Sequence, residues 1–452
     1  MTGILALAML PLGHAAELSI PYERYELDNG LEVILSEDHD LPIVQVNIWY
    51  HVGSKDEVEG KSGFAHLFEH MMFQGTEHMD GEYFEPLQKI GASINGTTSY
   101  DRTNYYEGVP AEYLPLALWM EADRMGWLLP VLDEAKLTNQ IDVVRNERRQ
   151  RVDNQPYGKA SMTRMETLFP AGHPYHITTI GKHEDLEAAT VDDVHAFFKQ
   201  WYVPNNATLV IAGDFDVQTA KGLVQEYYGA IPAGEEPTRL QPEQVTLTES
   251  VELRQVEEGV PHKRVWATWH TPQLYHEDDA ALDILAQILS GGKGTRLDKP
   301  LVHERQIARS VGAWQASKEL ASVFTLSATA AADSDTDVVL AAMDEILADV
   351  IENGVTQEEV DVAITNYEAR FISGLSTIAA KANQLNSYNH HAGEPDFLQE
   401  DLNRYLDITP EEVQAVARRW LDAERVVLHI WPPEAGAEST DDTENTDEEA
   451  GQ

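Results

Sequence analysis

Hydrophobic residues recur along the chain with two periods, one typical of strands and one typical of helices. Apolar and polar residues alternate in IVQVNIWYH (43–51) and in KRVWATWH (263–270), which predicts strands with one buried face. Segments that begin at Thr190 and Thr409 carry apolar residues at helical spacing, so each predicts an amphipathic helix. Strands that alternate with long helices favour an α+β fold, in which helices pack against a mainly antiparallel sheet.

The two helical segments are copies of one pattern. TVDDVHAFFKQWYVPNNATLVIAG begins at Thr190, and TPEEVQAVARRWLDAERVVLHIWP begins 219 residues later at Thr409. Each opens with a capping box, in which the threonine and an acid three residues on, Asp193 or Glu412, satisfy free backbone N–H groups. The same offset aligns the two alternating strands. The sequence therefore predicts two homologous domains in tandem.

Composition along the chain suggests the limits of these domains. The N-terminus has a short apolar core followed by small residues, which favours a signal peptide, although no Lys or Arg precedes the core. The alternative is a frayed terminus or a buried first strand. IPAGEEPTRLQPEQ is rich in Pro and Glu, as linkers are. The predicted segments are a signal peptide (1–16), a metal-bearing domain (17–230), a linker (231–248), a metal-free domain (249–434) and a disordered acidic tail (435–452).

Charge and cysteine content exclude several kinds of site and partner. The formal net charge is −45, which argues against nucleic acids and anionic membranes as partners. We interpret it as an adaptation for solubility in a periplasmic or secreted protein. No apolar run reaches the roughly 18 residues that a membrane span needs. The chain has no cysteine, so any zinc must be held by His, Asp or Glu.

The stretch HLFEH carries candidate chemistry. It places His66 and His70 four residues apart on one face of a helix, with Glu69 beside them. Two imidazoles can fill two corners of a zinc tetrahedron, and Glu69 then lies near the position where water binds. A carboxylate there can accept a proton as the water attacks a carbonyl. This H-x-x-E-H pattern is the inversion of H-E-x-x-H, and it needs a third ligand on another element.

Glu147 is the candidate third ligand. It follows Val143 and Val144 at helical spacing in NQIDVVRNERRQRVDNQPYG. The alternative is a surface ion pair with Arg148 or Arg149, and spacing alone favours that alternative.

The duplication helps to decide whether Glu147 is a ligand or a surface charge, because the second half lacks the polar residues of the candidate site. At the offset of 219, the positions that match His66, Glu69, His70 and Glu147 hold Leu285, Ile288, Leu289 and Asn366. The equivalent helix therefore packs with an apolar face, and polar residues on such a face are costly without partners. The joint absence of the histidines and the glutamate indicates that His66, His70 and Glu147 act together in the first half.

These residues resemble the pitrilysin family of zinc peptidases, the inverzincins, and within it the mitochondrial processing peptidase type and its bacterial relatives. The resemblance covers nearly the whole chain, and GSKDEVEGKSGFAHLFEHMMFQGTEH is very close to the family's motif. It implies that His66, His70 and Glu147 bind one Zn²⁺ per chain and that Glu69 is the catalytic base. It also implies that GASINGTTSYDRTNYYEGVP contains a strand that pairs with an extended peptide substrate. The residues of that strand are Asn95, Gly96, Thr97, Thr98 and Ser99.

Three positions depart from the pattern of the family. Many relatives carry an acid seven residues before the ligand Glu, where this chain has Gln140, so we expect Gln140 to tune the metal site through hydrogen bonds. Active single-chain relatives carry an Arg and a Tyr in the second half, where this chain has Val302 and Arg309. The resemblance therefore implies a paralogous subunit that supplies both groups, or otherwise a homodimer.

The sequence as a whole predicts a zinc metalloendopeptidase that hydrolyses extended peptides by a zinc-activated water, as the catalytic subunit of a heterodimer. The alternative is a non-catalytic subunit that binds peptides or scaffolds a complex. GGKGT at Gly291 weakly resembles a phosphate-binding loop, but it lacks the Gly-Lys-Thr order that places Lys on the phosphates. We interpret it as a loop after a helix.

Overall fold

The computed structural model describes residues 18–81, 83–241 and 245–433. The predicted signal peptide and acidic tail lie outside these ranges, as do residues 242–244 of the predicted linker, and the predicted domain limits stay predictions. Within the described ranges, no helix has both the length and the apolar character that crossing a bilayer requires.

The first half of the chain forms a six-stranded sheet. Its strands are β1 (Glu23–Glu26), β2 (Glu32–Glu37), β3 (Ile43–Tyr50), β4 (Ser93–Thr98), β5 (Thr103–Pro110) and β6 (Ala207–Gly213). Their order across the sheet is β1-β2-β6-β3-β5-β4. The β2–β6 pair is parallel and the other neighbours are antiparallel. β4 therefore lies at one edge.

The second half repeats this sheet without a counterpart of β1. Its strands are β7 (Val251–Val256), β8 (Arg264–Thr271), β9 (Ala308–Ala316), β10 (Ser322–Ala330) and β11 (Val426–Trp431). Their order is β7-β11-β8-β10-β9, with β7 and β11 parallel. An offset of 219 residues carries β2 onto β7 and β6 onto β11, so the two orders coincide. The prediction of two tandem α+β domains, each with a mainly antiparallel sheet, is confirmed.

Helices follow the same duplication. Those of the first half are α1 (Phe64–Met71), α2 (Phe84–Lys89), α3 (Leu114–Trp127), α4 (Glu134–Arg148), α5 (Gly158–Leu168), α6 (His183–Glu187), α7 (Val191–Trp201) and α8 (Val217–Tyr228). Those of the second half are α9 (Asp279–Ser290), α10 (Thr336–Asn353), α11 (Gln357–Gly374), α12 (Ile378–Ala392), α13 (Leu398–Leu406) and α14 (Pro410–Val416). Both predicted capping boxes form, at Thr190 and at Thr409. α14, the helix capped by Thr409, is followed by a π-helical turn, Ala417–Leu421, which the sequence pattern did not predict.

One face of each sheet is covered by helices of its own half. In the first half, Val46 of the sheet packs in one core with Leu67 of α1 and Val144 of α4. In the second half, Val265 packs with Leu285 and other apolar residues of α9. α9 occupies the position that α1 holds in the first half, and its buried face is apolar, as the sequence comparison indicated.

The opposite face of the first sheet is covered by a helix from the second half. α12 packs on β3 and β6, and its Ala382 and Leu385 share a core with Ile34 and Val210. A hydrogen bond from Asn386 Nδ2 to a backbone carbonyl of β3 adds to this contact, at 2.9 Å. The second half therefore completes the core of the first sheet.

The second sheet receives a helix from the first half in return. α5 packs on β8 and β11. Its Ala160 lies in a buried cluster with Trp266 and Leu428, and its Met165 lies in another with Val426. The offset of 219 residues relates α5 to α12, so the two halves exchange equivalent helices. We call α5 and α12 the exchanged helices.

Candidate metal centre

α1 is fixed at its start by two features of the preceding loop. Gly63 has φ +86°, and a Cβ there would lie 2.9 Å from the carbonyl oxygen of Ile180, so glycine is required. The carboxylate of Glu57 accepts hydrogen bonds from the backbone N–H groups of Gly63 and Ala65, at 2.9 and 2.8 Å. These N–H groups have no partner within the helix, and Glu57 satisfies them. The next residue, His66, is thereby held in place.

α4 brings Glu147 to the two histidines. Asp133 caps α4 by accepting a hydrogen bond from the backbone N–H of Lys136 at 2.9 Å. α4 packs against α1, and Ile141 and Val144 are buried on its inner face. Glu147 follows Val144 by three residues and shares that face. The side chain of Glu147 therefore points at α1.

The three candidate ligands converge on one point. Glu147 Oε1 lies 3.7 Å from His66 Nε2, and Glu147 Oε2 lies 3.1 Å from His70 Nε2. One possible ligand atom from each of the three side chains lies within 4.8 Å of the other two. Zinc bonds of about 2.0–2.1 Å in a tetrahedron separate neighbouring ligand atoms by about 3.3 Å. Two imidazole nitrogens and a carboxylate oxygen at these distances fit a zinc ion with one open position.

The protonation states of the ligands suit metal binding. Burial lowers the pKa of His66 to about 4, so its imidazole is neutral at pH 7. Contact with the His70 imidazole lowers the pKa of Glu147 below its usual value, and burial opposes this shift without cancelling it. A neutral imidazole and an ionised carboxylate are the forms that coordinate a metal.

Glu147 forms an ion pair, but its partner is neither Arg148 nor Arg149. Arg148 donates to the carbonyl oxygen of Gly181, and Arg149 donates to Asn146 Oδ1 at 2.6 Å. Among the described residues, the basic partner of Glu147 is instead Arg151, one turn later and largely exposed. The alternative of a surface ion pair with Arg148 or Arg149 is therefore not formed in the described structure. Arg151 was missed, although its spacing of four residues from Glu147 is a usable signal.

Glu69 lies beside the ligands and is held by β4. Thr98 Oγ1 donates a hydrogen bond of 2.6 Å to Glu69 Oε2. Burial raises the pKa of Glu69, and the hydrogen bond from Thr98 opposes this rise. A Cβ on Gly96 would lie 3.0 Å from Glu69 Cγ and 3.1 Å from a ring carbon of Tyr105. The strand therefore approaches Glu69 closely because residue 96 has no side chain.

β4 has a free edge next to this site. It pairs with β5, and none of the described strands lies on its other side. Alternate residues of such an edge present unpaired N–H and C=O groups. Ser99 lies beyond β4, and its backbone N–H donates to the carbonyl of Arg102 at 2.8 Å while its carbonyl accepts from Ser54 at 3.2 Å. Within residues 95–98, the backbone groups that face away from β5 are available for pairing, except the carbonyl of Thr97, which accepts from Arg102 Nη1 at 2.8 Å. The backbone of Ser99 is engaged within the chain.

The candidate ligands, Glu69 and the strand β4 line one cavity of about 700 Å³. The predicted site residues that line it are His66, Glu69, His70, Asn95, Gly96, Thr97, Thr98, Gln140 and Glu147. Gln140 is buried, and its amide donates to Asn139 Oδ1 at 2.8 Å. The exchanged helix α5 adds Ser161 and Met162 to the wall, which no pattern in the sequence indicated.

The two positions at which the chain departs from active relatives do not reach this cavity. Val302 lies in a π-helical turn, Lys299–Glu304, and packs against the core of the second half. Arg309 is exposed on β9, an edge strand of the second sheet. The cavity wall as described consists of residues from His66 to Ile180. The second half therefore contributes no described side chain to it.

Comparisons with known proteins match both halves. The model of the insulinase family, peptidase family M16, matches residues 32–175, and the model of the peptidase M16 inactive domain matches residues 188–367. The zinc protease PqqE of Helicobacter pylori is 27% identical over 446 residues, which cover 96% of this chain and 98% of that protein. The crystal structure of a protease from Helicobacter pylori has a TM-score of 0.85 and 27% identity, covering 92% of this chain and 100% of that one. The periplasmic protease PqqL from Escherichia coli shares the fold, with a TM-score of 0.76 and 19% identity over 92% of this chain and 48% of that one.

Proposed function

Because the chain belongs to the insulinase family of peptidases, M16, we propose that it is a zinc-dependent endopeptidase that cuts extended peptides. The observation that carries the proposal is the convergence of His66, His70 and Glu147 on one point, with Glu69 beside them. The relative in Helicobacter pylori is named a zinc protease, which supports the same metal here. The test is elemental analysis of the purified chain, which should lose one equivalent of zinc when His66 and His70 are replaced by alanine.

The site residues divide into ligands and a base. His66, His70 and Glu147 would hold the zinc ion, with one position open to water. Zinc bound there would lower the pKa of that water and polarise the carbonyl of the scissile peptide bond. Arg151 would then lose its pairing with one oxygen of Glu147, and its exposed side chain can move into solvent.

Glu69 moves the proton. With Oε2 held by Thr98, Oε1 is left to accept a proton from the attacking water. Its raised pKa makes it a stronger base than an exposed glutamate and lets it hold the proton briefly. The carbonyl carbon gains the oxygen of the water, the C–N bond breaks, and Glu69 returns the proton to the departing amine. The net reaction is hydrolysis of one peptide bond.

The free edge of β4 would hold the substrate. A peptide that adds as a further strand would pair with residues 95–98 through its backbone, which requires an extended conformation and little sequence preference. Thr98 and Gly96 contact Glu69 from the same strand, so pairing brings the peptide backbone next to the base. We propose that an unfolded segment rather than a folded protein enters the cavity.

A non-catalytic role as a scaffold subunit is the second candidate, and one observation favours it. Neither Val302 nor Arg309 lies where it can donate to a substrate in the cavity. A scaffold has no need of zinc bound at His66 and His70. Zinc that is retained by the native chain and released by His66→Ala would contradict the scaffold role.

The cellular setting is also a proposal. The apolar N-terminal segment and the acidic composition favour export, and the related PqqL of Escherichia coli is described as periplasmic. We therefore place the chain in the periplasm or outside the cell. Mass spectrometry of the mature protein would test this, because export with cleavage removes about the first 16 residues.

Glu147→Gln should lower zinc affinity by more than about tenfold, since even changes to groups that merely support a ligand cost about 10–100-fold. The amide is a poor ligand and cannot carry the negative charge. Competition with a chelator measures the affinity. Glu134→Gln, on an exposed turn of the same helix, is the matched control and should bind zinc like the native chain. If Glu147→Gln bound zinc with native affinity, Glu147 would not be a zinc ligand, and its described role would be the ion pair with Arg151.

Thr98→Val should lower kcat by about 10–150-fold, because a hydrogen bond to a charged group contributes about 1.5–3 kcal/mol. The side chain keeps its shape but no longer holds Glu69 in place. KM should change little, because peptide pairing uses the backbone of β4. Thr98→Ser restores the hydroxyl and should restore kcat. An unchanged kcat in Thr98→Val, or no rescue by serine, would show that Thr98 does not position the base.

A further inference from the structure

A second set of two histidines and a glutamate lies outside the cavity of the proposed active site. His390 and His391 are in the last turn of the exchanged helix α12, and Glu319 is in the connection between β9 and β10. Glu319 Oε1 lies 2.6 Å from His390 Nε2 and 3.3 Å from His391 Nδ1. One possible ligand atom from each residue lies within 4.8 Å of the other two. The combination of two histidines and a glutamate is the same as at His66, His70 and Glu147.

We propose that Glu319, His390 and His391 form a second transition-metal site. The two ring nitrogens are fully buried, and within the described part of the chain neither makes a hydrogen bond with an acceptable angle. They are close to the carboxylate oxygen but do not point at it. Side chains that share an ion lie in this way, because each aims its lone pair at the ion rather than at the neighbouring ligand. The geometry thus leaves two buried nitrogens whose partner would be a metal.

The charges around the cluster suit a divalent cation. The side chains of His390 and His391 are only 10% and 12% exposed, and burial favours the neutral imidazole, which is the form that binds a metal. The positive charge of Lys55 beside Glu319 favours the carboxylate form of its side chain. Lys55 Nζ lies 3.3 Å from Glu319 Oε2 and 2.9 Å from Asp56, so Asp56 balances that cation. Glu319 Oε1 remains free for a metal.

The surroundings leave room for a fourth ligand. A cavity of about 380 Å³ adjoins the cluster and is lined by His51, Lys55, Asp56, Glu319 and His390, among others. Its polar wall can hold an ordered water, which needs two or more polar partners. Imidazole and carboxylate ligands suit zinc, and they also suit other first-row transition metals. The proposed site is thus tetrahedral, with three protein ligands and a water.

A third cluster, one histidine with two acids, shows that such residues lying close together do not by themselves indicate a metal site. Glu252, Asp337 and His429 also lie close together. There, however, Arg254 donates to both carboxylates, at 3.1 and 2.8 Å, and both acids are about half exposed. A guanidinium already neutralises these acids, so the structure assigns no metal to them. They provide a matched control.

The position of the second site suggests a structural role. α12 covers the first sheet, whereas Glu319 belongs to a connection of the second sheet. A metal there would tie the end of the exchanged helix to the sheet of its own half. Because none of its ligands lines the cavity around Glu69, this inference does not depend on the proposed peptidase activity.

The test uses a chain in which the first site is disabled, His66→Ala with His70→Ala. After equilibration with zinc chloride and removal of free metal, this variant should retain one equivalent of zinc per chain by elemental analysis. Adding His391→Gln should remove that equivalent, and adding Asp337→Asn instead should not. Zinc absent from the starting variant, or retained after His391→Gln, would overturn the proposal.

A second measurement covers the case in which His391→Gln fails to fold. The starting variant is titrated with cobalt(II), which gives visible absorption in tetrahedral sites of nitrogen and oxygen ligands. One equivalent should saturate the absorption, and zinc should abolish it. Absence of the absorption from a folded starting variant would contradict the site. Failure of Glu69→Gln to lose activity would contradict the proposed function instead, so the two failures are distinct.

Discussion

Glu69→Gln is expected to abolish peptide hydrolysis while leaving zinc binding intact. The amide cannot accept a proton from the attacking water, and general-base catalysis contributes on the order of 10²–10⁴ to the rate. The change is otherwise mild, because Thr98 Oγ1 can still donate to the amide oxygen in the place of Glu69 Oε2. Glu69 does not belong to the group of converging ligands, so the metal should stay.

The measurement pairs a peptidase assay with elemental analysis of the same preparation. Glu59→Gln is a matched control, because Glu59 is exposed in the loop that precedes α1. It should cleave at the native rate and hold native zinc. A native rate in Glu69→Gln would remove Glu69 from the mechanism, and loss of zinc in that variant would show that Glu69 is itself a ligand.

The second large expected effect is on the cleavage rate, because the chain lacks the Arg and Tyr that active single-chain relatives carry at positions 302 and 309. We expect the purified chain to cleave peptides slowly and a paralogous subunit to raise the rate by about 10²–10³, the cost of losing one donor to a developing oxyanion. Val302 cannot donate a hydrogen bond and packs against the second core. Arg309 can donate, but it is exposed on β9 and does not line the cavity. In the proposed mechanism, zinc and Glu69 would supply the nucleophile, and the oxyanion would have no such donor from the second half.

The chain itself offers a test that does not require the partner. Val302→Arg with Arg309→Tyr restores the residue types of active single-chain relatives, but neither position lines the cavity, so this change should leave kcat and the zinc content of the isolated chain unchanged. A rise in kcat would show that the second half can supply the donors without a partner. Arg305→Lys, at an exposed position of the same segment, controls for any effect of altering this surface. Full activity of the unmodified chain as a homogeneous preparation would contradict the need for a partner, and a homodimer would then have to supply the donor.

Local patterns were sufficient to place α1 and α4 from the sequence. His66, Glu69 and His70 share a face because their spacing is helical, and that relation does not depend on the rest of the fold. Glu147 required a further argument, because its distance from α1 is set by packing. The duplicated half provided that argument, since Asn366 replaces Glu147 where leucines replace the histidines.

Features that depend on distant packing were not predictable in the same way. Nothing in the periodicity of α5 or α12 shows that each covers the sheet of the other half, because an amphipathic helix fits either sheet. Glu319 and the histidine pair His390–His391 meet only once α12 and the β9–β10 connection are placed in space. Arg151 differs from these features, because its spacing of four residues from Glu147 is readable from the sequence alone.

The exchange of α5 and α12 limits how the chain can be divided into fragments that fold. A fragment that ended at the linker would expose an apolar sheet face, because the helix that covers this face belongs to the other fragment. Two identical half-length chains would not have this defect, since each would lend its helix to the other across a two-fold axis. The present molecule has the geometry of such a swapped dimer joined end to end. The half without the metal ligands is therefore indispensable to the other, because it supplies α12 to the first sheet.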